Sequence, residues 1–394
     1  MAADLIDTKQ SARHSKRGKR ALASITLAAV VVVTSSVLYL YPSLTSKATL
    51  ASPAAAPWPM TRARDLVSYE FITPSLGWAM EVSSVLSPLP GQFWVGRTED
   101  GAKHWQKQLQ GQSRQSYRGV PLIRFFDRAH GFVAVGNPMQ LHRTLDGGTN
   151  WSSVTLPEDQ AAVIAFADSR HGWLLASGSA GPNLMHLYAT NDAGESWDQL
   201  PDPPIESARV AFRSPSEGWL WTIGQGSSHV YVSTDGGQSW QTRDLQAPPD
   251  RLPEETVAVS NLRVLPGIGV LADVILRQGQ EIKMPPRKVV SLDMGVSWRY
   301  VLGPSESPVP GLEAFEDSKH WWRIDGGILY KSFDSGTTWK SVATLQNGDL
   351  WVYDAYTLDS RHAWAQVRMG EATGLGMTND GGLHWTPANV PQPA

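Results

Sequence analysis

Past residue 65 the chain is written in short apolar or alternating runs, each cut off by glycine, proline, aspartate or serine. Residues 162–166, 172–176, 184–190 and 196–200 are four such runs in succession. Runs this short, rich in β-branched and aromatic residues and bounded by turn signals, predict strands. After residue 45 no long stretch free of Gly and Pro keeps a 3.6-residue period, so no helix is expected there.

The runs recur in phase with a motif. Seven times a Ser or Thr is followed by Asp two residues on and Trp seven on, usually with Gly four on. The aspartates are Asp100, Asp146, Asp192, Asp235, Asp293, Asp334 and Asp380. Their spacings are 46, 46, 43, 58, 41 and 46 residues. A second pattern sits about 15 to 25 residues upstream of each copy: an apolar residue, then Gly-Trp or a degenerate version of it. The clear instances are Phe71…Gly77-Trp78, Phe125…Gly131-Phe132, Phe166…Gly172-Trp173 and Phe212…Gly218-Trp219. Weaker ones are Leu265…Gly269-Val270, Phe315…Trp321-Trp322 and Leu358…Ala363-Trp364. A unit of about 45 residues with four strands and aromatic and glycine punctuation is a propeller blade. The predicted fold is all-β, a seven-bladed β-propeller of four-stranded antiparallel blades over residues 65–394. The first unit opens with its own inner strand and the last ends with its own outer strand, so closure is expected without a strand shared between the termini.

The motif resembles the Asp-box, or bacterial neuraminidase repeat, over roughly residues 66 to 390. Its expected role is structural. The Asp accepts hydrogen bonds from N–H groups one to three residues on, Gly supplies a positive φ, and Trp buries a ring at the start of the next strand. Seven equivalent carboxylates on seven units cannot converge on one site. Only the first copy departs, with Ala102 in place of Gly, and a turn that is distorted or takes a different backbone conformation is expected there.

The N-terminus reads differently. Residues 1–20 carry Lys9, Arg13, Lys16, Arg17, Lys19 and Arg20 against Asp4 and Asp7. Residues 21–41 hold no charge, long enough for a bilayer-spanning helix with Tyr39 and Tyr41 at one end. The asymmetry predicts a cytoplasmic basic tail (1–20), a single-pass anchor (21–41), an Ala/Pro/Ser-rich stalk (42–64) and an extracytoplasmic propeller. A cleaved signal peptide is the rival reading, but its apolar core is usually shorter, ~7 to 15 residues.

Composition narrows the chemistry. The chain has no Cys and a net charge of −3, so neither disulfides nor an electrostatic footprint for nucleic acid is expected. His130, His171, His320 and His362 recur before the second strand of four blades. Equivalent positions in separate blades ring the molecule, so turn packing is expected of them and no metal site. No cofactor is implied.

Binding specificity is expected on the face opposite the boxes, built from the links between strands two and three and between blades. The candidates are Arg118, beside Arg114 and Tyr117, then Asn137, Gln225 with His229, Arg277 at the start of a long loop reaching Arg287, Trp351 and Arg368. No catalytic residue is assigned. Sialidases carry an Arg-Ile-Pro phrase, which Pro121-Leu122-Ile123-Arg124-Phe125 does not match. A glycosidase needs two carboxylates across a cleft; Asp273, Glu281, Asp325 and Glu371 fall in expected loops without a readable pairing. The composite pattern looks more like the photosystem II assembly and stability factors, which implies a non-enzymatic scaffold with a protein partner. The alternative is a sialidase-like glycoside hydrolase or a glycan-binding lectin.

Overall fold

The computed structural model describes residues 60–389 except 62–65, 83–90, 114–121, 137, 160, 178–184, 206–207, 223–227, 248–250, 266–268, 280, 302–311, 326, 346–349 and 370–371. The basic tail, the apolar span and all of the stalk but Met60 and Thr61 lie outside the described residues. Among those described there is no helix, and none long and apolar enough to cross a membrane.

A two-residue strand, β1 (Met60–Thr61), comes first. Blade 1 is β2 (Leu66–Phe71), β3 (Gly77–Val82), β4 (Gly91–Thr98) and β5 (Gln106–Ser113). Blade 2 is β6 (Leu122–Phe125), β7 (Gly131–Val135), β8 (Gln140–Thr144) and β9 (Ser152–Val154). Blade 3 is β10 (Ala161–Phe166), β11 (Gly172–Ser177), β12 (Met185–Thr190) and β13 (Asp198–Gln199). Blade 4 is β14 (Ala208–Phe212), β15 (Gly218–Thr222), β16 (His229–Ser233) and β17 (Gln241–Asp244). Blade 5 is β18 (Thr256–Leu265), β19 (Gly269–Gln278), β20 (Glu281–Ser291) and β21 (Arg299–Val301). Blade 6 is β22 (Leu312–Phe315), β23 (Trp321–Asp325), β24 (Ile328–Ser332) and β25 (Lys340–Thr344). Blade 7 is β26 (Leu350–Thr357), β27 (Ala363–Met369), β28 (Ala372–Thr378) and β29 (Thr386–Ala388). The four strands of each blade form an antiparallel meander in chain order, and the sheet of blade 7 carries β1 as a fifth strand. First strands of successive blades touch, β2 with β6, β10 with β14, β14 with β18 and β22 with β26, which places them innermost.

The second sequence pattern is the packing rule between blades. Within a blade the Phe of strand one lies opposite the Gly of strand two, as Phe71 does opposite Gly77. A Cβ on Gly77, Gly131, Gly172 or Gly218 would come within 2.3 to 2.4 Å of that ring. The other face of the Phe stacks on the aromatic residue that follows the same strand-two position in the preceding blade. Trp78 lies on Phe125, Phe132 on Phe166, Trp173 on Phe212 and Trp364 on Phe71, with centroids 3.5 to 3.8 Å apart. Each Phe is held between a glycine backbone and a neighbouring ring, which couples one blade to the next.

Two weak instances of the pattern are shifted by one residue. The strand-two residue opposite the box Ser is Val270, and its strand-one partner is Val264, so blade 5 reads Val264…Val270-Leu271. In blade 7 Ala363 lies opposite Thr357, not Leu358. With no ring in strand one, strand two carries a side chain there.

Closure differs from the expectation of separate termini. Strand β28 pairs with β29 through Leu375, Gly376 and Met377, and with β1 through Thr373 and Gly374. The outer edge of blade 7 is thus shared by segments from both ends of the propeller. The seam to blade 1 is also hydrogen-bonded. Tyr69 Oη donates to the Trp364 carbonyl, Tyr356 Oη to that of Phe71, and Trp105 Nε1 to that of Asn389.

Candidate functional site

The two ends of the propeller are built differently. At one end each box closes on itself. In the fourth copy, Ser233 Oγ donates to Asp235 Oδ1 at 2.8 Å and accepts from the buried Gly237 N–H at 2.8 Å. Asp235 Oδ1 accepts from the Ser239 N–H, and Oδ2 from the Ser239 hydroxyl. The acceptor geometry reaches four residues past the Asp, farther than the one to three expected. The residue before each Trp completes the ring through its side chain: His104, Asn150, Ser196, Ser239, Ser297, Thr338 and His384. The polar side chain before every Trp was the sequence signal for this role. Ala102 does not distort its turn. It takes φ 70°, and its N–H bonds Thr98 Oγ1 at 3.0 Å as the glycines do.

These bonds hold the carboxylates ionised. The Ser196 hydroxyl and amide bring Asp192 down to about 2, and Thr338 does the same for Asp334. At Asp100 burial pulls upward, but the His104 amide and ring outweigh it and the carboxyl again sits at about 2.

The four repeated histidines occupy the same end. Each is held by the Asp three residues before it, His130 by Asp127, His171 by Asp168, His320 by Asp317 and His362 by Asp359. Box and turn are stitched together by a backbone bond, for example Gly147 N–H to the Ala129 carbonyl and Ala193 N–H to that of Arg170. Among the described residues no group of three or more His, Cys, Asp or Glu could hold a metal ion. This end also exposes apolar side chains of blades 5 and 6: Leu292, Val296 and Phe333.

The opposite end is formed by the starts of strands one and three and the ends of strands two and four. Arg118, Asn137 and Gln225 lie outside the described residues, as do Arg114, Tyr117 and Glu371. Arg277, Trp351 and Arg368 are described, but on strands and not on loops. The long loop expected from Arg277 to Arg287 is a hairpin: Arg277 pairs with Ile282, and Gln278 with Glu281, around a tight turn at Gly279. Blade 5 spends the extra residues of its long repeat on strands of 10, 10 and 11 residues. Trp351 and Arg368 are direct cross-strand partners on β26 and β27. Arg277 stands two blades away from them. His229 bonds the Tyr231 hydroxyl at 3.1 Å.

The carboxylates weighed as catalytic are likewise on strands. Asp273 lies within β19, paired to Lys288 Nζ at 2.7 Å. Asp325 ends β23, buried, with Arg323 3.6 Å away. Glu281 opens β20 at the hairpin turn. Asp273 and Asp325 belong to different blades, and each sits beside a cation of its own sheet.

Two groupings at this end were not legible in the sequence, because each joins residues from separate runs. Glu158, on the link into blade 3, accepts from Tyr188 Oη at 2.6 Å and meets His186 Nδ1 at 2.5 Å. The Glu158 hydrogen bond raises the His186 pKa, while burial first and Glu158 second push Tyr188 to about 12. The second is a cavity of about 270 Å³ on the outer half of blade 1, lined by Glu81, Gln92, Trp94, Gln110 and Gln112.

Fold and repeats together define an Asp-box β-propeller. The family model for the BNR/Asp-box repeat matches residues 231–242, the fourth box. A comparison with curated proteins finds no match. Among solved structures, the chain is similar to YCF48 bound to D1 peptide, at 18% identity and TM-score 0.51, covering 84% of this chain and 99% of that one. It is similar to YCF48 from Cyanidioschyzon merolae, at 15% identity and TM-score 0.52, covering 82% and 97%. It is also similar to an ancestral GH74 enzyme, at 14% identity and TM-score 0.52, covering 82% of this chain and 46% of that one. At these identities the likeness is one of fold, shared by a peptide-binding propeller and a glycoside hydrolase.

Proposed function

We propose that this propeller is a membrane-anchored, extracytoplasmic scaffold that captures a polypeptide partner on the end opposite the boxes, without covalent chemistry. The observation that carries the reading is the contrast between the ends. At the box end the aspartates of the boxes and of the histidine turns, with the side chains that pair with them, are tied up within their own turns. At the other end stand the candidate binding residues Arg277, Trp351 and Arg368. Arg118, Asn137 and Gln225 are assigned to the same end from their place in the repeat. Guanidinium groups there are natural partners for carboxylates. Support from fold comes from the peptide-bound YCF48, a propeller of the same architecture.

Anchoring rests on the basic tail and the uncharged 21–41 span. Reporter fusions after residue 60 test it: a reporter that works only outside the cytoplasm should be active. Activity confined to cytoplasmic reporters contradicts the topology, and release of a mature form starting near Pro57 contradicts the anchor alone. Turnover of a fluorogenic glycoside by the soluble propeller, lost on Asp273→Asn, would replace the scaffold reading with the enzymatic one.

A further inference from the structure

Arg209 is the second residue of β14, the innermost strand of blade 4, at the end away from the boxes. It is 6% exposed. It lies opposite Trp221 in the register, on the side of the sheet where Trp221 and Ala211 pack with Val257 and Val259 of blade 5. The side chains it shares that side of the sheet with at the seam between blades 4 and 5 are apolar, and the buried Glu255 stands just before β18 at the same end. Nε is sealed from water without a hydrogen-bond partner. Among the described residues the two terminal nitrogens also have no partner, and they are not sealed, so the outer edge of the fork stays open. The other buried cations of the ring differ. Arg323 has Asp325 beside it, and the partly buried Arg124 bonds the buried Glu70 at 2.7 Å.

An uncompensated guanidinium in an apolar seam is costly, and a charge left without its partner is among the most destabilising arrangements in a fold. Burial alone brings Arg209 down to about 10, still fully charged at neutral pH. Arg presents two parallel N–H groups that match a planar carboxylate and lose little freedom in binding it. An anion reaching the open edge would supply the missing charge and both acceptors.

We propose that Arg209 is the anchor of a carboxylate-binding site at the loop-side mouth between blades 4 and 5. The site deepens the scaffold reading by naming a chemical group that this end recognises. Its test is independent of any partner, so either can fail alone. The carboxylate could be a free organic acid or the terminus of a peptide, and the ligands distinguish them.

The experiment is thermal unfolding of the full chain in detergent, at low and constant ionic strength. It is titrated with acetate, with a short peptide carrying a free carboxyl terminus, and with the amidated form of that peptide. Chloride and inorganic phosphate serve as controls. Wild type should gain stability with a carboxylate, the folding equilibrium shifting about 100-fold at a concentration 100 times Kd. Response to acetate marks a free-acid site, and response to the free-terminus peptide alone marks a peptide site. Arg209→Met should abolish the response and, without ligand, melt no lower than wild type, since the uncompensated charge is gone. Arg209→Lys, which keeps the charge and loses the fork, should respond at least tenfold more weakly. The proposal is overturned if wild type responds to carboxylate no more than to chloride or phosphate. It is equally overturned if ligand-free Arg209→Met and Arg209→Lys both melt well below wild type, which would make the side chain an ordinary part of the core.

Discussion

At the residue scale, the glycines before the strand-two aromatics are decided by a ring on the neighbouring strand. Where strand one offers Phe, as at Phe71, Phe125, Phe166 and Phe212, strand two has Gly. Where it offers Val264 or Thr357, strand two carries Val270 or Ala363. Blade 6 keeps both Phe315 and Trp321, and the two rings meet edge-on, at 78° and 4.9 Å. The chain thus contains its own control for the rule. Gly218→Ala should cost ~1–3 kcal/mol by overpacking against Phe212. Phe212→Ala should cost ~3–5 kcal/mol by leaving a cavity. Combined with Phe212→Leu, Gly218→Ala should cost clearly less than the sum of the two, because the clash is relieved. Denaturant unfolding of these variants checks this, and strict additivity would show that the ring does not dictate the glycine. The Phe…Gly-Trp phrase was legible in four blades because Phe and Gly are distinctive letters. It was misphased in blades 5 and 7 because Val and Thr at the same positions look like any strand residue.

At the element scale, the box is a turn whose hydroxyl matters as much as its carboxylate. Ser233 is 1% exposed and covers the Gly237 N–H. Ser233→Ala should therefore leave a buried donor unpaired and cost ~1–3 kcal/mol, while Ser233→Thr should be nearly neutral. Chemical denaturation reads both, and equal midpoints for wild type and Ser233→Ala would remove the box from the account of stability. The carboxylates add a pH dependence with a definite sign. Asp100, Asp192, Asp317 and Asp334 are each held down at about 2 in the fold, against ~3.9 in an unfolded chain. A depressed carboxyl binds fewer protons folded than unfolded. Its contribution is complete above pH ~4 and is lost as pH falls from about 4 to about 2. The unfolding midpoint should drop across that window, less steeply in Asp192→Asn. A midpoint that rises on acidification would contradict the assignment. Motif letters revealed the boxes, but not the long hairpin of blade 5, since a tight turn at Gly279 between two extended strands resembles a polar loop when only composition is read.

At the scale of the whole molecule, the ring is held by repeated aromatic stacking and closed by segments from both ends of the propeller. Seven blades followed from seven boxes in phase. The contribution of Met60 and Thr61 to the last sheet did not, because two residues carry no periodicity. Trp364 stacks on Phe71 with planes 3° apart at the closing seam. Trp364→Ala should cost ~3–5 kcal/mol and lower a single cooperative transition instead of splitting it; two separate transitions would show that the blades do not couple through that seam. The end proposed to bind a partner was legible only as a location. Residues such as Trp351 and Arg368 become neighbours through sheet register, and Arg209 is marked by the partner it lacks among the described residues, which a sequence does not record. The most direct test of the central claim is capture of the partner from native membranes by matched variants of the two ends. Simultaneous Arg118→Ala, Arg277→Ala and Arg368→Ala should weaken capture at least tenfold with the melting temperature nearly unchanged, while Leu292→Ser, Val296→Ser and Phe333→Ser on the box end should leave capture intact. Undiminished capture by the arginine triple, together with its loss in the box-end triple, would contradict the account.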